Sequence, residues 1–133
     1  MYLLDTNVLS AARKAEASLA EWMIRQERES LFISVITLGE ISRGIEMKQR
    51  ADPVAANRLA LWFQGIRHNY ASRLLGIDER IALEWGRISA SRTRGDADGL
   101  IAATALVHNL IVVTRNVVDF ADTGVTVLNP WTL

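Results

Sequence analysis

Short apolar runs and longer amphipathic stretches take turns along this chain. The runs at 31–35, 74–77, 111–114 and 125–128 have the length and β-branched content of buried strands, and residues 2–4 join that series as a fifth. Between them, apolar positions recur with helical spacing over 15–29, 38–48, 53–71, 79–92 and 99–108, with a short turn after Asn7. Strands alternating with helices predict an α/β fold, a mainly parallel sheet of about five strands covered on both faces. The two helices between the second and third strands add a hairpin to that alternation. Pro53 suits a first helical position, where its missing N–H costs nothing, so Asp52 is the expected cap. Asp78 precedes the next helix in the same way. Thr93, Arg94, Gly95 and Asp96 form the candidate mobile loop.

The length, 133 residues, suits one domain (residues 1–133) burying roughly two thirds of the surface its unfolded form exposes. Fifteen basic and fifteen acidic side chains leave no formal net charge, so any nucleic-acid contact must be local. Cysteine is absent, which excludes disulfides and thiolate metal sites and leaves hard oxygen ligands. The first residues lack a basic leader, and no apolar run approaches the roughly 20 residues of a membrane span. A soluble, cytoplasmic protein is expected. Half the residues are hydrophobic and four are Trp, enough for some apolar surface to face another chain.

Three acidic stretches carry the chemistry: Leu4-Asp5-Thr6-Asn7, Thr37-Leu38-Gly39-Glu40 and Ala97-Asp98-Gly99-Leu100. Each acid has a structural alternative. Asp5 and Asp98 fit helix caps, and Thr37-x-x-Glu40 fits a capping box. Taken together they suggest a shared site, because ligands of open parallel sheets bind outside the carboxyl ends of the strands. The fourth strand ends in Thr114-Arg115-Asn116, with Asp119 three residues on. Carboxylates gathered at one edge repel by about 4 kcal/mol for a pair roughly 4 Å apart at moderate dielectric. A divalent cation offsets that cost. Oxygen ligands without His or Cys suit Mg²⁺, or Mn²⁺ as substitute, and the chemistry that follows is phosphoester hydrolysis. Asp96 reads as a solvated loop acid, and His108 as a partner of its helix's C-terminal dipole. Trp22, Met23, Leu59, Trp62, Phe63 and Ile66 read as core, with a partner groove as the alternative.

The opening Leu-Leu-Asp-Thr-Asn-Val, the central Ser-Val-Ile-Thr-Leu-Gly-Glu, then Asp-Gly-Leu-Ile-Ala-Ala-Thr-Ala, Val-Val-Thr-Arg-Asn and Leu-Asn-Pro-Trp occur in this order. In that order they resemble the PIN-domain ribonucleases, especially the VapC and FitB toxins of toxin–antitoxin pairs. The resemblance implies a three-layer α/β/α sandwich and a metal-dependent endoribonuclease. It implies that Asp5, Glu40 and Asp98 are metal-binding acids and that Thr6, Asn7 and Thr114 support them. Where the family often has a fourth acid this chain has Asn116, and Asp119 lies just beyond; either is a candidate for that catalytic position. Arg115, Arg94 and Arg43 are candidate RNA contacts. The implied partners are RNA, a cognate antitoxin in a hetero-oligomer, a second copy of the chain, and operator DNA through the antitoxin only. The alternative is a catalytically weak module that binds the antitoxin in a DNA-bound autoregulatory complex. A Mg²⁺ phosphohydrolase using Asp5 as nucleophile is disfavoured, since Asn7 stands where a second Asp is needed and the last lysine is Lys48.

Overall fold

The computed structural model describes residues 1–91 and 94–133. Five parallel strands, β1 (Tyr2–Leu4), β2 (Leu31–Ser34), β3 (Leu74–Leu75), β4 (Ile111–Val113) and β5 (Val127–Leu128), lie in the order β3-β2-β1-β4-β5. Leu3 sits opposite Phe32 on one side and Val112 on the other. The chain therefore builds outward from β1 through β2 to β3, then returns to lay β4 against the free edge of β1. That reversal makes a topological switch point between the ends of β1 and β4, where open α/β sheets leave a crevice.

Alternation along the strands divides the core into two layers. Leu4, Ile33 and Val113 face one side and pack with Val8 and Leu9 of α1 (Thr6–Arg13), Leu19 and Trp22 of α2 (Ala17–Ile24), and Ile41 of α3 (Val35–Ala51). Leu3 and Val112 face the other side, against Ile81 and Ile88 of α5 (Glu79–Ser89) and Ile101, Ala102 and Ala105 of α6 (Asp96–His108). Helix α4 (Pro53–Asn69) pairs with α3 and adds the half-buried Trp62, Phe63 and Ile66 to the first layer. This is the α/β/α sandwich expected. Among the described residues, no helix is long and apolar enough to cross a membrane.

Several element boundaries differ from those expected. The turn after Asn7 is the eight-residue helix α1, started by Asp5. The stretch 15–29 is α2 alone, followed by a separate 3₁₀ turn, Arg28–Ser30. Helix α3 begins at Val35 because Ser34, the last residue of β2, turns its hydroxyl back to accept from the Ile36 N–H at 3.0 Å. Helix α6 begins at Asp96, which takes the end of the candidate loop into a helix; Arg92 and Thr93 lie outside the described residues. Asp52 and Asp78 cap α4 and α5 as expected, accepting from Ala55 N at 3.2 Å and Ile81 N at 3.0 Å.

Arg73 is a buried cation that the sequence pattern hides. Its guanidinium donates to the carbonyls of Arg28, Leu31 and Asn69 at 2.6, 2.7 and 2.7 Å and lies 4.6 Å from the centre of the Tyr70 ring. It joins the C-terminal end of α4 to the start of β2, so that carbonyls left open by the helix terminus are satisfied.

Candidate acidic site

Asp5 leaves β1 and caps α1 with the same side chain. Its Oδ1 accepts from the Thr6 N–H at 2.8 Å, and its Oδ2 accepts from the Thr114 hydroxyl at 2.8 Å and the Asn7 amide at 3.1 Å. The cap and the site are thus two uses of one carboxylate. Thr114, at the end of β4, brings the second strand of the switch point into the network. Its Oγ1 also accepts from Asn7 Nδ2 at 3.1 Å and from the Asn116 N–H at 3.0 Å. Asn7 Oδ1 accepts from the Arg115 N–H at 3.2 Å, so one amide braces both strand ends. Asp5 is 5% exposed, and burial is the main reason its carboxyl sits above the ordinary value. The donated hydrogen bonds pull it down, and the charge of Asp119 pushes it up.

Glu40 stands exposed on α3 and accepts from the Thr6 hydroxyl at 2.6 Å. The capping-box reading of Thr37 and Glu40 fails, because Ser34 is the cap and Thr37 is a buried residue within the helix. Asp98 is not a cap either: Gly95 holds that place, and Asp98 lies in the first turn of α6. The carboxyl of Asp98 is pushed up to about 6, chiefly by burial and then by the charges of Asp5, Asp119 and Glu40, with Arg94 opposing. Four acids from four parts of the chain therefore act on one another.

Asp5, Glu40, Asp98 and Asn116 line a groove of about 410 Å³, together with Thr6, Asn7 and Arg115. Asp119 is half-buried in a 3₁₀ turn, Val117–Phe120, and reaches the group through its charge. Arg94 donates to the Ala121 carbonyl at 3.3 Å. Arg43 is exposed on α3, one turn after Glu40, and lies outside the groove lining. Ser10, Lys14 and Glu16 also line the groove and were missed; α1 and its junction with α2 place them there, and that junction is invisible without the helix. A second groove of about 520 Å³ runs on through Thr6, Ser10, Lys14 and Glu40 between α1, α3 and α4, with Ile41, Leu59 and Trp62 on its walls.

Among the described residues, no three His, Cys, Asp or Glu side chains stand close enough to form a ready-made metal cage. The donor set is a dispersed one, a buried carboxylate and a half-buried one, both with raised proton affinity, and a third at the rim. That suits a cation that keeps several waters and binds through one or two carboxylates, as Mg²⁺ does.

Residues 2–125 match the PIN domain family. The chain is a PIN-domain protein. It is 35% identical to Toxin FitB of Neisseria gonorrhoeae over 98% of this chain and 99% of the relative. It is 34% identical to the VapC ribonuclease Y4jK of Sinorhizobium fredii over 98% of each. Among solved structures, FitAB bound to an IR36 DNA fragment superposes with a TM-score of 0.83 at 32% identity, covering 100% of this chain and 97% of that one. The PIN domain here thus carries its acids at the switch point of a fold shared over its whole length.

Proposed function

We propose that this PIN domain is a Mg²⁺-dependent endoribonuclease toxin, silenced by a cognate antitoxin. The observation that carries the reading is that Asp5 and Asp98 line one groove at the switch point and both are made harder to ionise, each chiefly by burial, with the charge of Asp5 adding to the effect on Asp98 and that of Asp119 to both. A helix cap needs only a side-chain oxygen within reach of a free backbone N–H, and not a second acid in the same groove. Similarity to a toxin and to a VapC ribonuclease supports the activity and its class.

Asp5 and Asp98 would hold the cation, with Glu40 at the rim holding its water shell and Asn116 or Asp119 in the fourth position. Bound there, Mg²⁺ would supply charge to the attacking and leaving oxygens of the phosphodiester and acidify the attacking water. The chain's own residues set the stage for this. Thr114 and Asn7 fix Asp5 Oδ2 in orientation, and the Thr6 hydroxyl, spending its proton on Glu40, turns that carboxylate toward the groove. The second groove, apolar on its walls and open to Arg13, Lys48 and Arg58, would take the antitoxin's segment, and operator DNA would be met by the antitoxin in the hetero-oligomer.

A second reading rests on Asn116, an amide lining the groove where the family often has an acid. On that reading the domain binds its antitoxin and cuts RNA slowly. Cleavage of a panel of structured RNAs by antitoxin-free protein, with Mg²⁺, Mn²⁺ or chelator, decides between them. Metal-dependent cutting that falls about 100-fold in Asp98→Asn is expected. A folded protein that cuts under neither metal, and gains cutting in Asn116→Asp, would establish the second reading instead.

A further inference from the structure

The nuclease reading gives no role to Glu16, which lines the acidic groove, or to Trp131, which packs on the groove's Arg115. Arg115 Nη2 donates to Glu16 Oε1 at 2.6 Å, and the indole N–H of Trp131 donates to the same oxygen at 3.2 Å. The Arg115 guanidinium carbon lies 4.0 Å from the centre of the Trp131 ring, a stacked cation. Trp131 is itself held by Asn129, whose Oδ1 accepts from the Trp131 N–H at 3.0 Å, and it follows the buried Pro130. Glu16 and Arg115 line the same groove as Asp5 and Asp98, and the backbone N–H of Arg115 is bound to Asn7, which also holds Asp5.

We propose that Glu16 occupies, on Arg115, the place of an RNA phosphate: the incoming phosphodiester takes over the guanidinium, Glu16 is released, and Trp131 keeps Arg115 aimed at the groove throughout the exchange. This deepens the ribonuclease reading and rests on it. Carboxylate and phosphate oxygens present the same fork to a guanidinium, so one can stand in for the other. Glu16 uses a single oxygen for both its donors, and the stack on Trp131 engages the face of Arg115, leaving further N–H groups on its edge. The pair is accessible, its side chains 48% and 36% exposed, and exposed ion pairs are weak enough to be exchanged. Charge makes the exchange matter. Among the described residues, Asp5, Glu16, Glu40 and Asp98 line the groove against Lys14 and Arg115, and Glu16 cancels the guanidinium that Arg115 brings there. A polyanion meets an unfavourable field until it displaces Glu16.

Glu16→Gln tests the exchange without removing the acceptor for the Trp131 indole. Binding of a fluorescent single-stranded RNA oligonucleotide is measured by anisotropy in chelator for the wild type, Glu16→Gln, Arg115→Ala and the double variant, each shown folded by its thermal melt. Glu16→Gln is expected to bind about fivefold tighter than wild type, Arg115→Ala weaker, and the gain from Glu16→Gln to shrink below about twofold once Arg115 is gone. An equal gain with and without Arg115 would mean a general charge effect and overturn the exchange, as would no gain or no RNA binding by any variant. Cleavage assays on the same proteins separate the two levels. Metal-dependent cutting with no effect of Glu16 on binding overturns the exchange alone, whereas the expected binding pattern with no cutting under Mg²⁺ or Mn²⁺ supports the phosphate subsite and overturns the nuclease.

Discussion

Asp98 takes up a proton more readily in the folded chain than in the unfolded one, because folding buries it beside other carboxylates. The direction of its effect on stability follows. Between the ordinary value of 3.8 and the folded value of about 6, the folded state holds more protons than the unfolded state, so stability falls as pH rises through that window and levels off above it. Asp5 is shifted in the same direction. Without divalent metal, Asp98→Asn is therefore expected to be more stable than wild type at pH 7.5 by about 1 kcal/mol, the value left after solvent screening of a partly exposed group. Urea midpoints at pH 4 and 7.5 in chelator measure this. A variant less stable than wild type at pH 7.5 would mean that Asp98 is held by structural partners rather than strained for a ligand. Function at this residue then comes at a cost in stability, the pattern expected of a site and not of a cap.

Helix α6 carries Asp98, and its position is set by how closely it approaches α5. A Cβ added at Gly99 would meet Trp85 Cδ1 at 2.9 Å, Trp85 Nε1 at 3.0 Å and Ser89 Oγ at 3.2 Å. Gly99→Ala should push the helices apart at a cost of about 1–3 kcal/mol in urea unfolding. Gly86→Ala, in the interior of α5 with nothing within 4 Å of its Cβ, should instead stabilise by about 0.5–1 kcal/mol. Equal effects at both would show that helix propensity, not close packing, governs α6. The same elements show what the sequence reveals. Helices α4 and α5 were legible from Asp52, Pro53 and Asp78 because a cap is a local interaction. Helix α1 shows in the sequence only as a short turn, although Asp5 fits a cap, because its run, Thr-Asn-Val-Leu-Ser-Ala-Ala-Arg, completes few helical periods. The sequence pattern places the start of α3 three residues late because Val35 and Ile36 look like strand, and the Ser34 hydroxyl that ends β2 is also what starts the helix. Asp5, Glu40 and Asp98 could be picked out by residue type and position. Glu16 and Trp131 could not, because 115 positions of chain separate them and only the fold brings them together on Arg115.

Across the whole molecule the charges cancel, so the field that matters is the local one where β1 and β4 part. The acids there come from the end of β1, α3, α6 and the turn after β4, and their repulsion arises only when the sheet assembles. A cation that binds this arrangement binds the folded state and not the dispersed acids of the unfolded chain, so it must raise thermal stability. At ten times its dissociation constant the gain is about 1.4 kcal/mol, which for a domain of this size is a rise of about 4–6 °C in melting temperature. Wild-type protein is expected to show that rise on titration with Mg²⁺ and to lose it with chelator, and Asp98→Asn to show little of it. Asp78→Asn supplies the control, because Asn caps α5 about as well as Asp and lies outside the groove; its melting temperature should respond to Mg²⁺ as the wild type does. A rise of the same size in all three proteins would place the ion on the general surface and remove the physical case for a metal at the switch point. A rise confined to the proteins that keep Asp98 would tie the stability of the assembled sheet to the occupancy of its groove.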